Sequence, residues 1–196
     1  MKPQVLAGID FGSKMAGTTV IAVAGKTTIR LFSSRKNEDA DSFLSEIVKE
    51  KGIEELFIDA PLSLPGVYRG ILSGNDYFFR ESDRALKAMS PMFLGALTAR
   101  AMKLCGQWKD AGIQCREVYP PAFVLRMDWI KKGYKKEDES RIELQEFLTD
   151  IIGLPLPHEL STWQEVDALI ALAIGKLLIQ GKAKSAGNSE EGLIYF

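Results

Sequence analysis

The sequence predicts an α/β fold on a mixed sheet from three observations: an opening run of three β-rich segments split by turns, later short strands alternating with helical stretches, and a long apolar terminal helix. The chain has 196 residues, 46% hydrophobic and 26% charged, which suits a single domain, 1–196, with one core and a small insertion.

Gln4 to Asp10 is apolar, Thr18 to Ala24 is rich in β-branched residues, and Thr27 to Phe32 follows the Gly25-Lys26 turn, so these segments read as an antiparallel meander. Asp39 to Lys51 places Phe43, Leu44, Ile47 and Val48 on one stripe before Gly52, the pattern of an amphipathic helix with its stop. Glu55 to Asp59 reads as a buried strand ended by Ala60-Pro61, because proline cannot continue a ladder. Pro61 to Phe79, with Pro65, Gly66, Gly70 and Gly74, reads as an irregular loop, and with the helix from Arg80 to Lys87 it forms an insertion around 61–90. One helix is predicted from Pro91 to about Asp110, and a strand from Ile113 to Tyr119 before Pro120-Pro121. The charged stretch 131–141, with Lys131, Lys132, Lys135 and Lys136 around Tyr134, reads as a mobile, solvated segment. Thr162 and Glu165 form a capping box opening the last helix, and the Gly- and Ser-rich stretch beyond Gly181 reads as a flexible linker.

Composition narrows function. Lys and Arg total 25 against 26 Asp and Glu, a net charge of −1, so no global field draws a polyanion in and any nucleic-acid contact is local. The apolar stretches are too short for a membrane span, and the expected setting is the cytoplasm. Cys105 and Cys115 lack metal-site spacing and read as reduced packing residues, and His158, the sole histidine, reads as an exposed loop residue.

Acids stand where predicted elements meet solvent. Asp10 and Asp59 end strands, Glu117 lies near the end of a third, and Asp167 has Ile170, Ala171 and Ile174 on its helix face. If the three strands are parallel neighbours, the acids meet at the edge where open α/β sheets bind ligands. Bare carboxylates so close would repel, and a divalent cation relieves this; Mg²⁺ favours such hard oxygen ligands. Two ions roughly 3.5–4 Å apart can serve both sides of a phosphodiester displacement. Each acid also has an ordinary explanation: turn chemistry for Asp10 and Asp59, a helix N-terminal charge for Asp167, and an edge ion pair for Glu117. Lys14 in the turn after Asp10, and Arg80 with Arg84 on one helix face, are candidate phosphate contacts, although an Arg80–Asp83 pairing explains the arginine equally well.

Gly8-Ile9-Asp10, Ile58-Asp59-Ala60-Pro61-Leu62-Ser63-Leu64-Pro65, Arg80-Glu81-Ser82-Asp83-Arg84, Glu117-Val118-Tyr119-Pro120 and Asp167-Ala168-Leu169-Ile170-Ala171 together resemble domain-of-unknown-function family 429, whose members are predicted ribonuclease H-like nucleases. The resemblance runs along nearly the whole chain, and its specificity lies in the order of short motifs. It implies a ribonuclease H-like fold: a five-stranded mixed sheet, three antiparallel strands then two parallel ones, flanked by helices. It further implies Asp10, Asp59 and Asp167 as ligands of Mg²⁺ or Mn²⁺, Glu117 as a fourth catalytic acid, and DNA or RNA as substrate. The opening Gly8 to Lys14 is also similar to Holliday-junction-resolvase-type nucleases.

Two other classes fit parts of the pattern. Gly8 to Ser13 with Gly17-Thr18-Thr19 resembles the phosphate-binding turn of sugar kinases and actin-like ATPases, which bind ATP between two such domains where 196 residues supply one. A non-catalytic ribonuclease H-like binding or assembly module would use the same acids as turn and cap residues. Neither the substrate's identity nor the oligomeric state is written in these motifs.

Overall fold

A computed structural model describes residues 4–71 and 75–196; Gly74 of the Pro61 to Phe79 loop lies outside the described residues. The meander forms as β1 (Leu6–Asp10), β2 (Val20–Ala24) and β3 (Ile29–Ser33), with Ile9 opposite Ile21 and Ala22 opposite Leu31 in antiparallel register. Leu6 to Ile9 and Val20 to Val23 are buried without alternation, as strands covered on both faces require. Helix α1 (Ala40–Lys51) starts where the Asp39 carboxylate accepts from the amides of Asp41 and Ser42, and stops at Gly52. Strand β4 (Glu55–Asp59) runs parallel to β1 and sets Asp59 directly opposite Asp10.

Helix α2 (Glu81–Leu86) follows, with Arg80 as its cap. The single helix expected from Pro91 to Asp110 is instead two, α3 (Pro91–Leu94) and α4 (Ala96–Asp110). The break falls at Gly95, with φ 44° and ψ −101°, a backbone conformation that glycine supplies and helix continuation forbids. Strand β5 (Gln114–Glu117) runs parallel to β4, placing Glu117 opposite Ile58.

Two helices were not anticipated. Helix α5 (Pro120–Arg126) uses the Pro120-Pro121 pair as its first turn rather than as a strand stop. Helix α6 (Glu139–Ile152) buries Leu144, Leu148 and Ile152, a four-residue spacing hidden among charged neighbours. The charged stretch before it is not simply a solvated face, because Tyr134 is buried and Lys135 is ion-paired.

Helix α7 (Trp163–Ile179) opens on the expected capping box of Thr162 and Glu165. The stretch beyond Gly181, expected as a flexible linker, folds back as β6 (Ser185–Ala186) paired with β7 (Ile194–Tyr195). Its buried Glu191 accepts from the amides of Gly66 at 2.6 Å and Glu81 at 2.7 Å, pinning the chain's end to the insertion. Hydrogen bonds from folded neighbours outweigh the local preference of Gly and Ser for disorder.

The main sheet has the order β3-β2-β1-β4-β5, and β2 alone runs against the rest. This is the ribonuclease H-like arrangement, with cores on both faces. Ile9, Ile21 and Ile58 pack with Leu44, Val48 and Trp108 on the α1/α4 side, and Val20, Phe57 and α7 pack with α5 and α6 on the other. Among the described residues, no helix is long and apolar enough to cross a membrane.

Helix α7 lies against the sheet almost backbone to backbone. A Cβ on Gly8 would stand 2.2 Å from the Leu172 amide nitrogen and 2.4 Å from the Ala168 carbonyl oxygen, and one on Gly175 would meet the Phe57 ring at 2.1 Å. Overpacking of this kind costs about 1–3 kcal/mol, so Gly8→Ala is expected to lose about 2 kcal/mol or more of stability. Urea unfolding checks this through a lowered midpoint at constant slope.

Candidate metal centre

Because β1 and β4 are parallel and in register, Asp10 and Asp59 leave the sheet side by side at its carboxyl edge. Helix α7, held close over Gly8, brings the buried Asp167 to the same edge from one turn inside its N-terminus. A cavity of about 250 Å³ opens there, with Asp10, Asp59, Glu117 and Arg80 in its wall and Phe11, Tyr119 and Met89 as apolar or aromatic lining.

The charge of Asp167 acts on both Asp10 and Asp59. Burial, then the Asp167 charge, pushes Asp10 up to about 7, with Lys135 pulling it back. Asp59 is pushed well above the usual carboxylate range by burial, then by Asp167 and Asp10, with Lys135 opposing and Glu117 adding to the rise. Asp167 is raised by burial, against the pull of Lys135 and Tyr134. The Lys135 ammonium lies 2.6 Å from Asp167 Oδ2, and the buried Tyr134 hydroxyl donates to Oδ1.

Glu117 behaves differently. Arg80 is fully buried and spends all five of its N–H donors. Its Nη1 and Nη2 reach Glu117 at 2.7 and 2.6 Å, its Nε and Nη2 reach Asp83 at 3.0 and 2.7 Å, and Nη1 also reaches Ser63 Oγ at 2.9 Å. Burial opposes its charge, but the bonds to Glu117 and Asp83 outweigh burial and raise its pKa. Glu117 Oε2 also accepts from the Leu62 amide at 2.8 Å, so this acid lines the cavity while committed to fastening the insertion onto β5. Arg80 therefore has no donor left for a phosphate.

The other candidates separate in space. Arg84 is exposed, bonded to Asp76 at 2.8 Å and stacked 3.8 Å above the Phe79 ring, so it makes no joint grip with Arg80. Lys14 pairs at 3.0 Å with Asp39, the cap of α1, and His158 is exposed. Two features of the glycine turn went unread. Gly12 donates its amide to Thr19 Oγ1 at 3.1 Å, and Arg100 reaches back from α4 to the Gly12 carbonyl at 3.0 Å and to Asp41 at 2.6 Å. Lys135 and Tyr134 were also missed as site residues; the one signal was a tyrosine amid the basic cluster.

Asp10, Asp59 and Asp167 supply the hard oxygen donors that a divalent cation prefers; burial raises the pKa of all three, and the charge of Asp167 raises Asp10 and Asp59 further. As the side chains stand, no three acids, histidines or cysteines among the described residues close around a single point. The donor chemistry fits a cation, and full closure needs side-chain movement.

No protein-family model matches the chain, and none of the curated proteins does. Among solved structures it is similar to T. thermophilus RuvC in complex with a Holliday junction substrate, at 16% identity and a TM-score of 0.45, over 92% of this chain and 99% of that one. The fold assignment rests on strand order and polarity, which match the five-stranded mixed sheet expected of a ribonuclease H-like fold.

Removing Arg80 would strand two buried carboxylates, so Arg80→Met is expected to cost about 3–5 kcal/mol in chemical denaturation. The acid cluster predicts a pH trend of opposite sign to ordinary acid denaturation. A carboxylate whose folded pKa is raised contributes stability that is full below its unfolded value of 3.8 and lost as pH rises through the folded value, about 7 for Asp10. In chelator, melting temperature should therefore fall between about pH 4 and 8. Asp10→Asn should flatten that fall, which a pH series of thermal melts checks.

Proposed function

We propose that the protein is a divalent-metal-dependent nuclease that hydrolyses phosphodiester bonds in DNA or RNA, with Asp10, Asp59 and Asp167 as ligands of Mg²⁺ or Mn²⁺. The observation that carries this reading is the meeting of three partly or wholly buried carboxylates, from β1, β4 and α7, at the carboxyl edge of the sheet, each raised in pKa by burial and two of them, Asp10 and Asp59, also by the charge of Asp167. Ionised groups are otherwise costly in such a place, and groups pushed this far from their ordinary range are a mark of functional sites. The motif resemblance to domain-of-unknown-function family 429 supports the same reading.

A bound cation would neutralise the three carboxylates and stabilise charge developing on a phosphate, the chemistry that phosphodiester hydrolysis demands. The remaining residues have distinct tasks. Arg80, Asp83 and Glu117 form a closed ionic lock that holds the insertion beside the acids. Arg84 and Lys14, 60% and 48% exposed and each held by a single ion pair, are candidate contacts for a nucleic-acid backbone once those pairs open. Phe11 and Tyr119 in the cavity wall offer apolar surface to a base or sugar. With a net charge of −1, the protein would hold its substrate through these local contacts.

A phosphate-cradling role for the glycine turn, as in ATP-binding relatives of this sheet, is disfavoured because the Gly12 amide is already bonded to Thr19. The discriminating experiment compares wild type with Asp10→Asn and Asp59→Asn on single-stranded, duplex and junction DNA and on RNA, with Mn²⁺ or EDTA. Loss of cleavage by roughly a hundredfold or more is expected, since charge stabilisation by such a cation is worth several kcal/mol. Mn²⁺ should raise the melting temperature of wild type and not of Asp10→Asn. Equal cleavage by wild type and variants would refute the nuclease reading.

A further inference from the structure

We infer that Lys135 is a displaceable counter-cation whose ammonium holds Asp167 beside Asp10 and Asp59 and must withdraw for a divalent ion to enter. This inference rests on the proposed metal centre, but concerns how it is loaded rather than what it cleaves.

The basic run 131–136 sends one of its lysines inward. Tyr134 is buried, with its ring edge-on to Trp163 at 5.4 Å between centroids and its hydroxyl on Asp167 Oδ1. Lys135 follows with a left-handed backbone, φ 58°, which turns its side chain back to Asp167 Oδ2 at 2.6 Å. Both oxygens of Asp167 are thereby engaged from one turn. Lys135 is also the cation whose field lowers both Asp10 and Asp59, so its charge reaches all three acids.

One ammonium against three carboxylates under-compensates them. A divalent ion compensates better, yet it cannot share the space with an ammonium bonded to one of its ligands, because like charges at contact range repel strongly in a partly buried site. The lysine side chain is 47% exposed, so a path outward exists. When the lysine releases Asp167 Oδ2, that oxygen becomes free to turn towards Asp10 and Asp59.

Mn²⁺ titrations by calorimetry on the full chain test this, using wild type, Lys135→Met, which keeps the aliphatic stem, and Lys135→Arg, which keeps the charge. Lys135→Met is expected to bind Mn²⁺ about tenfold more tightly than wild type, with Lys135→Arg near wild type. A second measurement needs no variant: reductive methylation of Lys135, followed by peptide mass spectrometry, should quicken when Mn²⁺ is added. Equal or weaker Mn²⁺ binding by Lys135→Met, or a methylation rate that Mn²⁺ leaves unchanged or slows, overturns the counter-cation while the metal centre stands. No Mn²⁺ binding by any of the three proteins overturns both.

Discussion

The close seating of α7 on the sheet governs the rest of the structure. Gly8 and Gly175 let the helix backbone approach β1 and the Phe57 ring without an intervening side chain. With the helix at that distance, its run of fully buried residues from Ala168 to Ile174 covers one sheet face. The same approach decides where the Asp167 carboxylate goes. A wider separation would let water screen Asp167 from Asp10 and Asp59, and the three acids would titrate as unrelated surface groups.

Two ionic assemblies sit side by side at the carboxyl edge and obey opposite logic. Around Arg80 every donor is used, the acids are matched, and burial makes the assembly rigid because any missing member leaves a stranded charge. Around Asp10, Asp59 and Asp167 the acids outnumber the one lysine near them, so protonation or a foreign cation must make up the difference. The first assembly is matched, donor to acceptor, and the second is not. Glu117 belongs to the first even though it looks like the second from its position on β5.

Much of the architecture was legible beforehand because it rests on short-range rules. The meander showed in its β-branched runs, α1 in the Asp39 cap and Gly52 stop, and α7 in its Thr162–Glu165 box. Helix α6 was missed because its four-residue apolar spacing is diluted by charges that face solvent, and α4 was run into α3 because Gly95 inside a periodic stretch reads as a tolerated defect. The C-terminal β6–β7 pairing was missed since nothing local in a Gly- and Ser-rich stretch announces that Glu191 will find the amides of Gly66 and Glu81.

What the sequence determined by itself was the class of sheet and the placing of Asp10, Asp59, Glu117 and Asp167 at element ends or near a helix start, because hydrophobic period and turn chemistry act over a few residues. Which of those acids share a charge field, and which is consumed by a guanidinium, was decided only by the tertiary structure. Arg80 lies 37 positions from Glu117 in sequence, and Tyr134 lies 33 from Asp167. Contacts of that separation depend on how layers stack, and no local pattern of residues encodes them. The tertiary structure likewise turned Lys135 from one charge in a basic run into the cation facing the acids.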